Sequence, residues 1–244
     1  MIKIMPLGDS VTAGGTDTQS GVNYPSYRYH LWNLLQENGY RVNFVGTRSG
    51  PDSQFDFDRD NEGRSGWRAD HIASGNSDYE PQNGDLSTWL ESLETRGEVP
   101  DHVLIHLGTN DILQQGYPDT PEAVAAATIE DLRAVVRTLR EYNPGVTIYI
   151  AEIIPMKFSF FTQYVDAFNT EIPGLVRSLD TSQSRVFHVD QNTGFDTRTD
   201  LRDHLHPNHL GEHKMAERWY EVLSPVLTIP SSTNSVDFSE ELRN

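Results

Sequence analysis

The chain opens on IKIMPLGDSVTAGG, residues 2 to 15. Ile2 to Leu7 is a nearly continuous apolar run, the pattern of a strand covered on both faces of a parallel sheet. It ends at Gly8-Asp9-Ser10, and small and polar residues follow. A buried strand that hands a serine to its carboxyl end puts a hydroxyl where open α/β sheets keep their chemistry.

Four further apolar, β-branched runs repeat the pattern, at Val42–Val45, Val103–Leu107, Val146–Ile150 and Val186–Val189. Between them lie helical periodicities over Tyr27–Glu37, Asp85–Arg96, Pro121–Tyr142, Phe160–Leu179 and His209–Leu227. Thr120 before Pro121 reads as a helix cap, and Pro173 is expected to kink or split its helix. Repeated βα units predict an α/β fold, a three-layer α/β/α sandwich on a five-stranded parallel sheet of order 2-1-3-4-5. Residues 48 to 84, rich in Gly, Asp, Ser and Asn, read as one long irregular loop, a feature that in a compact domain is usually functional. The expected domain is 1–229, followed by a polar tail, 230–244.

At 244 residues a single core is the default. The absence of cysteine excludes a disulfide frame, a thiolate zinc site and a Cys nucleophile. A net charge of −17 argues against nucleic acid and anionic membranes as partners. No apolar stretch approaches the ~20 residues of a membrane helix, and the sequence carries no charged-then-apolar signal peptide.

In a sheet of order 2-1-3-4-5 the first and third strands are neighbours, so Ser10 and the Gly108-Thr109-Asn110-Asp111 that follows the third strand open into one crevice. Past the fifth strand, DLRDHLHPNHLG supplies Asp203 and His206. Together these residues suit acyl transfer. A serine hydroxyl needs a base, the base needs an orienting acid, and the oxyanion needs fixed donors. His206 is the candidate base and Asp203 its partner. Candidate donors are the Ser10 N–H, the Asn110 amide and the N–H of Gly66 in NEGRSGW.

Gly8-Asp9-Ser10, Gly66, Gly108-Thr109-Asn110-Asp111 and Asp203-His204-Leu205-His206 resemble the ordered blocks of the SGNH (GDSL-type) hydrolases. KIMPLGDSVTAG, SYRYHLWNLL, VNFVGTRSGP and EGRSGW are similar to carbohydrate esterase family three, the acetyl xylan esterase type. The resemblance runs from about Ile2 to Leu227 and implies a flavodoxin-like sandwich. It assigns Ser10 as nucleophile, His206 as base, Asp203 as orienting acid, and Ser10, Gly66 and Asn110 as oxyanion donors. It implies no cofactor, a secreted setting, and a small ester or acetylated polysaccharide as substrate. His204 departs from the pattern, standing where relatives commonly have Gly.

Each residue also has a plainer reading. Ser10 suits a helix cap, Asn110 and Asp111 a turn, and Asp9 a hydrogen bond to loop backbone. The G-x-S-x-G elbow is missing, because Thr12 takes its last place. His204, His206, His209 and His213, with Asp203, make a candidate metal cluster, although the expected site holds no metal. Asp56, Asp58 and Asp60 resemble a calcium loop, but Asn61 and Trp67 stand where Gly and Glu are needed. Tyr24, Tyr27, Trp32 and Trp67 are candidate sugar-stacking rings. Tyr27 and Trp32 fit the core better, which leaves Trp67 beside Gly66 as the expected substrate-binding residue.

The expected function is therefore a serine esterase that removes acetyl groups from xylan or a related polysaccharide. The same groups would serve a short-chain carboxylesterase, thioesterase or lysophospholipase. The rivals from other classes are a non-catalytic carbohydrate-binding module and a metal-dependent deacetylase.

Overall fold

Ile2–Gly8, the opening run, is the strand around which the sheet is organised. The structure, a computed structural model, describes residues 1–51, 54–77, 80–116 and 118–228. In chain order its elements are β1 (Ile2–Gly8), α1 (Ser10–Ala13), β2 (Gly15–Thr16), β3 (Asn23–Tyr24), α2 (Tyr27–Glu37), β4 (Val42–Phe44), β5 (Arg48–Ser49) and β6 (Asp60–Gly63). Then follow α3 (Ala69–Ser74), α4 (Leu86–Thr95), β7 (His102–His106), α5 (Thr109–Gln115) and α6 (Pro121–Tyr142). The last elements are β8 (Thr147–Ala151), α7 (Thr162–Leu179), β9 (Val186–Val189) and α8 (His209–Leu223). The tail 230–244 lies outside the described residues.

On one side β1 pairs β7 in parallel from Ile4↔His102 to Gly8↔His106, and β8 and β9 continue the parallel sheet. On the other side its first residues pair β4, from Ile2↔Val42 to Ile4↔Phe44. The order β4-β1-β7-β8-β9 is the expected 2-1-3-4-5. Residues side by side on each strand serve opposite faces. Met5, Leu7, Val103, Ile105, Ile148 and Ile150 pack in the cluster that holds residues of α3, α4, α6 and α7. Ile4, Leu104, Tyr149 and Ala151 pack in the cluster of α2 and α8. That alternation makes the three layers.

The segment read as an irregular loop is partly ordered into the sheet. Leu7 and Gly8 at the end of β1 pair Glu62 and Gly63 of β6, and β5 runs antiparallel to β6. No apolar run announces β6, because its buried polar side chains are satisfied one by one. Glu62 accepts from Thr47 N at 2.9 Å and from Arg64 at 3.2 Å, and Asn61 Oδ1 accepts from Gly63 N at 2.8 Å. Pro173 neither ends nor splits α7, which continues through it to Leu179. Thr120 does cap α6, accepting from Ala123 N at 3.3 Å. Tyr27 is fully buried against Trp219, and Trp32 packs edge-on to Phe44.

Candidate active site

The Ser10 segment is fixed by burial. A Cβ at Gly8 would lie 2.6 Å from the His106 carbonyl oxygen and closer still to Thr12 Oγ1, so only glycine lets α1 turn this tightly against β7. Asp9, fully buried, caps α1 by accepting from Val11 N at 2.9 Å. Burial pushes its carboxyl up to about 6, against the Val11 N–H and the charge of His206. Ser10 takes the first position of α1, where an N–H has no partner inside the helix. Behind it, buried Arg28 donates to the carbonyls of Thr12 at 2.8 Å, Ala13 at 2.9 Å, Gly50 at 2.5 Å and Arg59 at 2.8 Å. One guanidinium thus ties the turn after Ser10 to the 50–59 segment.

His206 comes from a self-closing turn. Leu201 and Pro207 form an antiparallel bridge, and Arg202 N donates to His206 O at 3.0 Å. Asp203 Oδ1 accepts from Leu205 N at 2.8 Å and His206 N at 2.7 Å. Its other oxygen lies 2.8 Å from His206 Nδ1, and His206 Nε2 lies 2.9 Å from Ser10 Oγ. The three side chains therefore form one hydrogen-bonded line. Burial alone would raise the Asp203 carboxyl, but the His206 and Leu205 N–H groups and the imidazole outweigh it and hold the group below its ordinary value. An ionised Asp203 selects the His206 tautomer with the proton on Nδ1, which leaves Nε2 free to accept from the serine.

Asn110 is buried in α5, and its Nδ2 donates to Trp67 O at 3.0 Å. An amide nitrogen carries two protons, so one remains to serve an oxyanion. Asp111 accepts from Ala69 N at 3.1 Å, and Gln114 Nε2 donates to Gly66 O at 2.8 Å. Three side chains from one helix thus hold the strand of loop that carries Gly66, whose φ of +79° suits glycine. Gln114 was not singled out by sequence reasoning; its place one turn beyond Asn110 was the available signal. Arg28 and Arg202 were also missed, the first because arginine is by default a surface residue.

Several expectations are corrected. Trp67 is no sugar platform: it is 2% exposed, its Nε1 donates to Glu80 at 2.8 Å, and it packs against Trp89 and His71. A stacking ring needs an open face, so Trp67 borders the cavity beside Gly66 without offering one. The four histidines do not gather. His206 turns to Ser10, exposed His204 stacks on Phe158 at 4.6 Å, and His209 faces Glu212 while His213 faces Glu217. Asp58, whose surroundings in the sequence only partly resemble a calcium loop, accepts from Phe44 N at 2.8 Å and Asp60 N at 3.3 Å. Tyr24 stacks on His209 at 4.7 Å, with the Arg202 guanidinium 4.2 Å from its ring centre. Beside Gly66 lies a cavity of about 490 Å³ lined by Ser65, Arg68, Asn76, Glu80 and Gln114 among others.

The model of the GDSL-like lipase/acylhydrolase family matches residues 7–214. A multidomain esterase of Ruminococcus flavefaciens is 28% identical over 260 residues, taking in 99% of this chain and 32% of that protein. The chain thus spans about a third of that relative's length. A carbohydrate esterase family 3 structure from Talaromyces cellulolyticus matches with a TM-score of 0.70 and 29% identity, over 89% of this chain and 94% of that one. A family 3 carbohydrate esterase from Clostridium thermocellum matches with a TM-score of 0.70 and 29% identity, over 92% and 96% of the two chains.

Proposed function

The chain belongs to the GDSL-like lipase/acylhydrolase family, and from that premise we propose that it is a serine esterase that removes acetyl groups from xylan or a related polysaccharide. The observation that carries the reading is the line Ser10 Oγ–His206 Nε2–Asp203, with steps of 2.9 and 2.8 Å. Ser10 Oγ attacks the ester carbonyl while His206 Nε2 takes its proton. Asp203 holds the imidazole and stabilises the cation that forms. The oxyanion is received by the N–H groups of Ser10 and Gly66 and the free proton of the Asn110 amide. On collapse the leaving alcohol takes the proton from His206. Water, deprotonated by the same imidazole, then releases acetate from the Ser10 ester.

The substrate half of the proposal rests on chemistry beside Gly66. A cavity lined by hydroxyl, amide, carboxylate and guanidinium groups together with the rings of Trp67 and His71 suits a sugar better than an acyl chain, and about 490 Å³ lies in the range of ligand pockets. The similar family 3 carbohydrate esterases point the same way.

The test compares acetate release from acetylated xylan and other acetyl glycans with hydrolysis of p-nitrophenyl esters of increasing chain length. Preference for the glycan, lost in Ser10→Ala, is the expected result. Preference for long acyl chains would overturn the substrate, and turnover retained in Ser10→Ala would overturn the mechanism.

A further inference from the structure

Beneath the turn that carries His206, α2 and α8 bring together three groups that the ester chemistry leaves unused. His30 lies on α2, and His209 and Glu212 lie in the first turn of α8. One nitrogen or oxygen from each lies within 4.8 Å of the other two. Glu212 is 1% exposed; its Oε1 accepts from Ser26 N at 2.9 Å, whereas Oε2 is buried without a hydrogen bond. That oxygen is 3.3 Å from His209 Nδ1, an ion-pair contact. His30 Nε2 is likewise buried without a hydrogen-bond partner. Buried polar atoms in native proteins are nearly always satisfied, yet His30 Nε2 has no partner and Glu212 Oε2 has only the His209 nitrogen, so an ion among the three would satisfy both.

We propose that His30, His209 and Glu212 bind one divalent transition ion of the zinc type, which fastens α2 to the start of α8.

Two imidazoles and one carboxylate suit zinc, cobalt or nickel, whereas magnesium and calcium prefer oxygen alone. Tetrahedral zinc with bonds of about 2.0–2.2 Å sets its ligand atoms about 3.3–3.5 Å apart, a spacing that His209 and Glu212 already have. His30, within 4.8 Å of both, closes the remainder by a side-chain adjustment, with water as the fourth ligand. The surroundings orient the ligands as metal sites require. Ser26 N holds the carboxylate, Tyr24 stacks on the His209 ring at 4.7 Å, and His213 meets His30 edge-on at 5.3 Å. The His209 side chain is 46% exposed and gives an ion its route from solvent. Arg202, whose charge reaches His209 and Glu212, is held over Tyr24.

The ion would brace the fold and take no part in the ester chemistry, so its test reads binding and stability. Protein stripped with EDTA and dialysed is titrated with zinc by calorimetry, and with cobalt by visible absorption. One ion per chain, tetrahedral cobalt bands and a melting temperature raised by roughly 5–10 °C at saturating zinc are expected, with no shift from magnesium or calcium. His30→Gln and Glu212→Gln, the second keeping an acceptor for Ser26 N, should each weaken zinc binding at least tenfold. If either variant fails to fold, His209→Gln, at an exposed ring, carries the same expectation. Absence of cobalt bands and of a zinc-dependent shift in the parent overturns the site, as does undiminished affinity in the folded variants.

Discussion

Ser10 and His206 meet at 2.9 Å, yet the two segments that deliver them are built by opposite means. The Ser10 segment is an extension of the sheet. Gly8, Asp9, Val11 and Thr12 are buried, and Arg28 clamps its carbonyls from behind. The turn that bears His206 stands half in solvent: Asp203 is 46% exposed and shapes the turn through its own hydrogen bonds. Position is therefore set globally for Ser10 and locally for His206. Substitutions behind Ser10 are expected to damage the fold, and those at Asp203 to damage turnover while sparing the fold.

The widest separation of the two effects is expected at the reacting atoms. Ser10→Ala and His206→Ala should each lower kcat on the order of 10⁴- to 10⁶-fold with the melting temperature unchanged. Gly8→Ala should unfold the protein, because backbone and side-chain atoms occupy the space of its Cβ. A stable Gly8→Ala protein with full activity would break the comparison at its buried end. Asp203→Asn tests the exposed end. The amide favours the wrong His206 tautomer, so kcat should fall about 10⁴-fold while far-UV circular dichroism and melting stay near the parent. Unfolding of that variant would show that the turn is a structural element first.

Asn110 and Gln114 sharpen the contrast within one helix, since each holds the Gly66 loop with one amide proton, but Asn110 is buried and Gln114 is exposed to solvent. Asn110→Ala should cost roughly 10²- to 10³-fold in kcat with a smaller change in KM. Gln114→Ala removes an exposed anchor that also lines the cavity beside Gly66, and should cost less than tenfold in kcat. Equal losses would assign Asn110 to loop anchoring and take it out of the oxyanion hole.

The same division explains what could be read in the sequence. The strand that ends at Gly8 and the four apolar runs after it were legible because two-sided burial demands continuous apolar residues. Ser10 and Asn110 were legible as candidates through their place at strand ends, and Asp203 and His206 through their spacing just before the last helix. β6 was not, because Asp60-Asn61-Glu62-Gly63 enters the sheet with polar side chains satisfied by Thr47, Arg59 and Arg64. Trp67 misled for a related reason. Beside a turn glycine it looks like a ring for substrate, but a carboxylate at position 80, thirteen residues on, takes its indole proton underground. Arg28 shows the same blind spot, since a buried guanidinium that donates to carbonyls of two distant segments leaves no local pattern. Where polar groups satisfy one another over long range, periodicity carries no signal.

The smallest effect, and the most discriminating, is in the pH dependence of stability. Two carboxylates flank His206, one in each segment. Asp9 is pushed up to about 6 in the native state by burial, from 3.8. Between those values the folded chain holds a proton that the unfolded chain has released, so stability from this group is complete below 3.8 and is lost as pH rises through about 6. Asp203 is held below 3.8, so its contribution is present above that value and is lost as pH falls through its lower native value. Asparagine cannot titrate. Read as a slope, so that any constant offset drops out, the melting temperature of Asp9→Asn relative to the parent should climb between about pH 4 and 7. That of Asp203→Asn should be negative near neutrality and shrink towards zero in acid. Asp9→Asn keeps an acceptor for Val11 N, so its slope isolates the charge. Parallel slopes in thermal melts from pH 3 to 8 would mean that both carboxylates lie in equivalent surroundings, and the distinction between a buried frame and an exposed turn would fail.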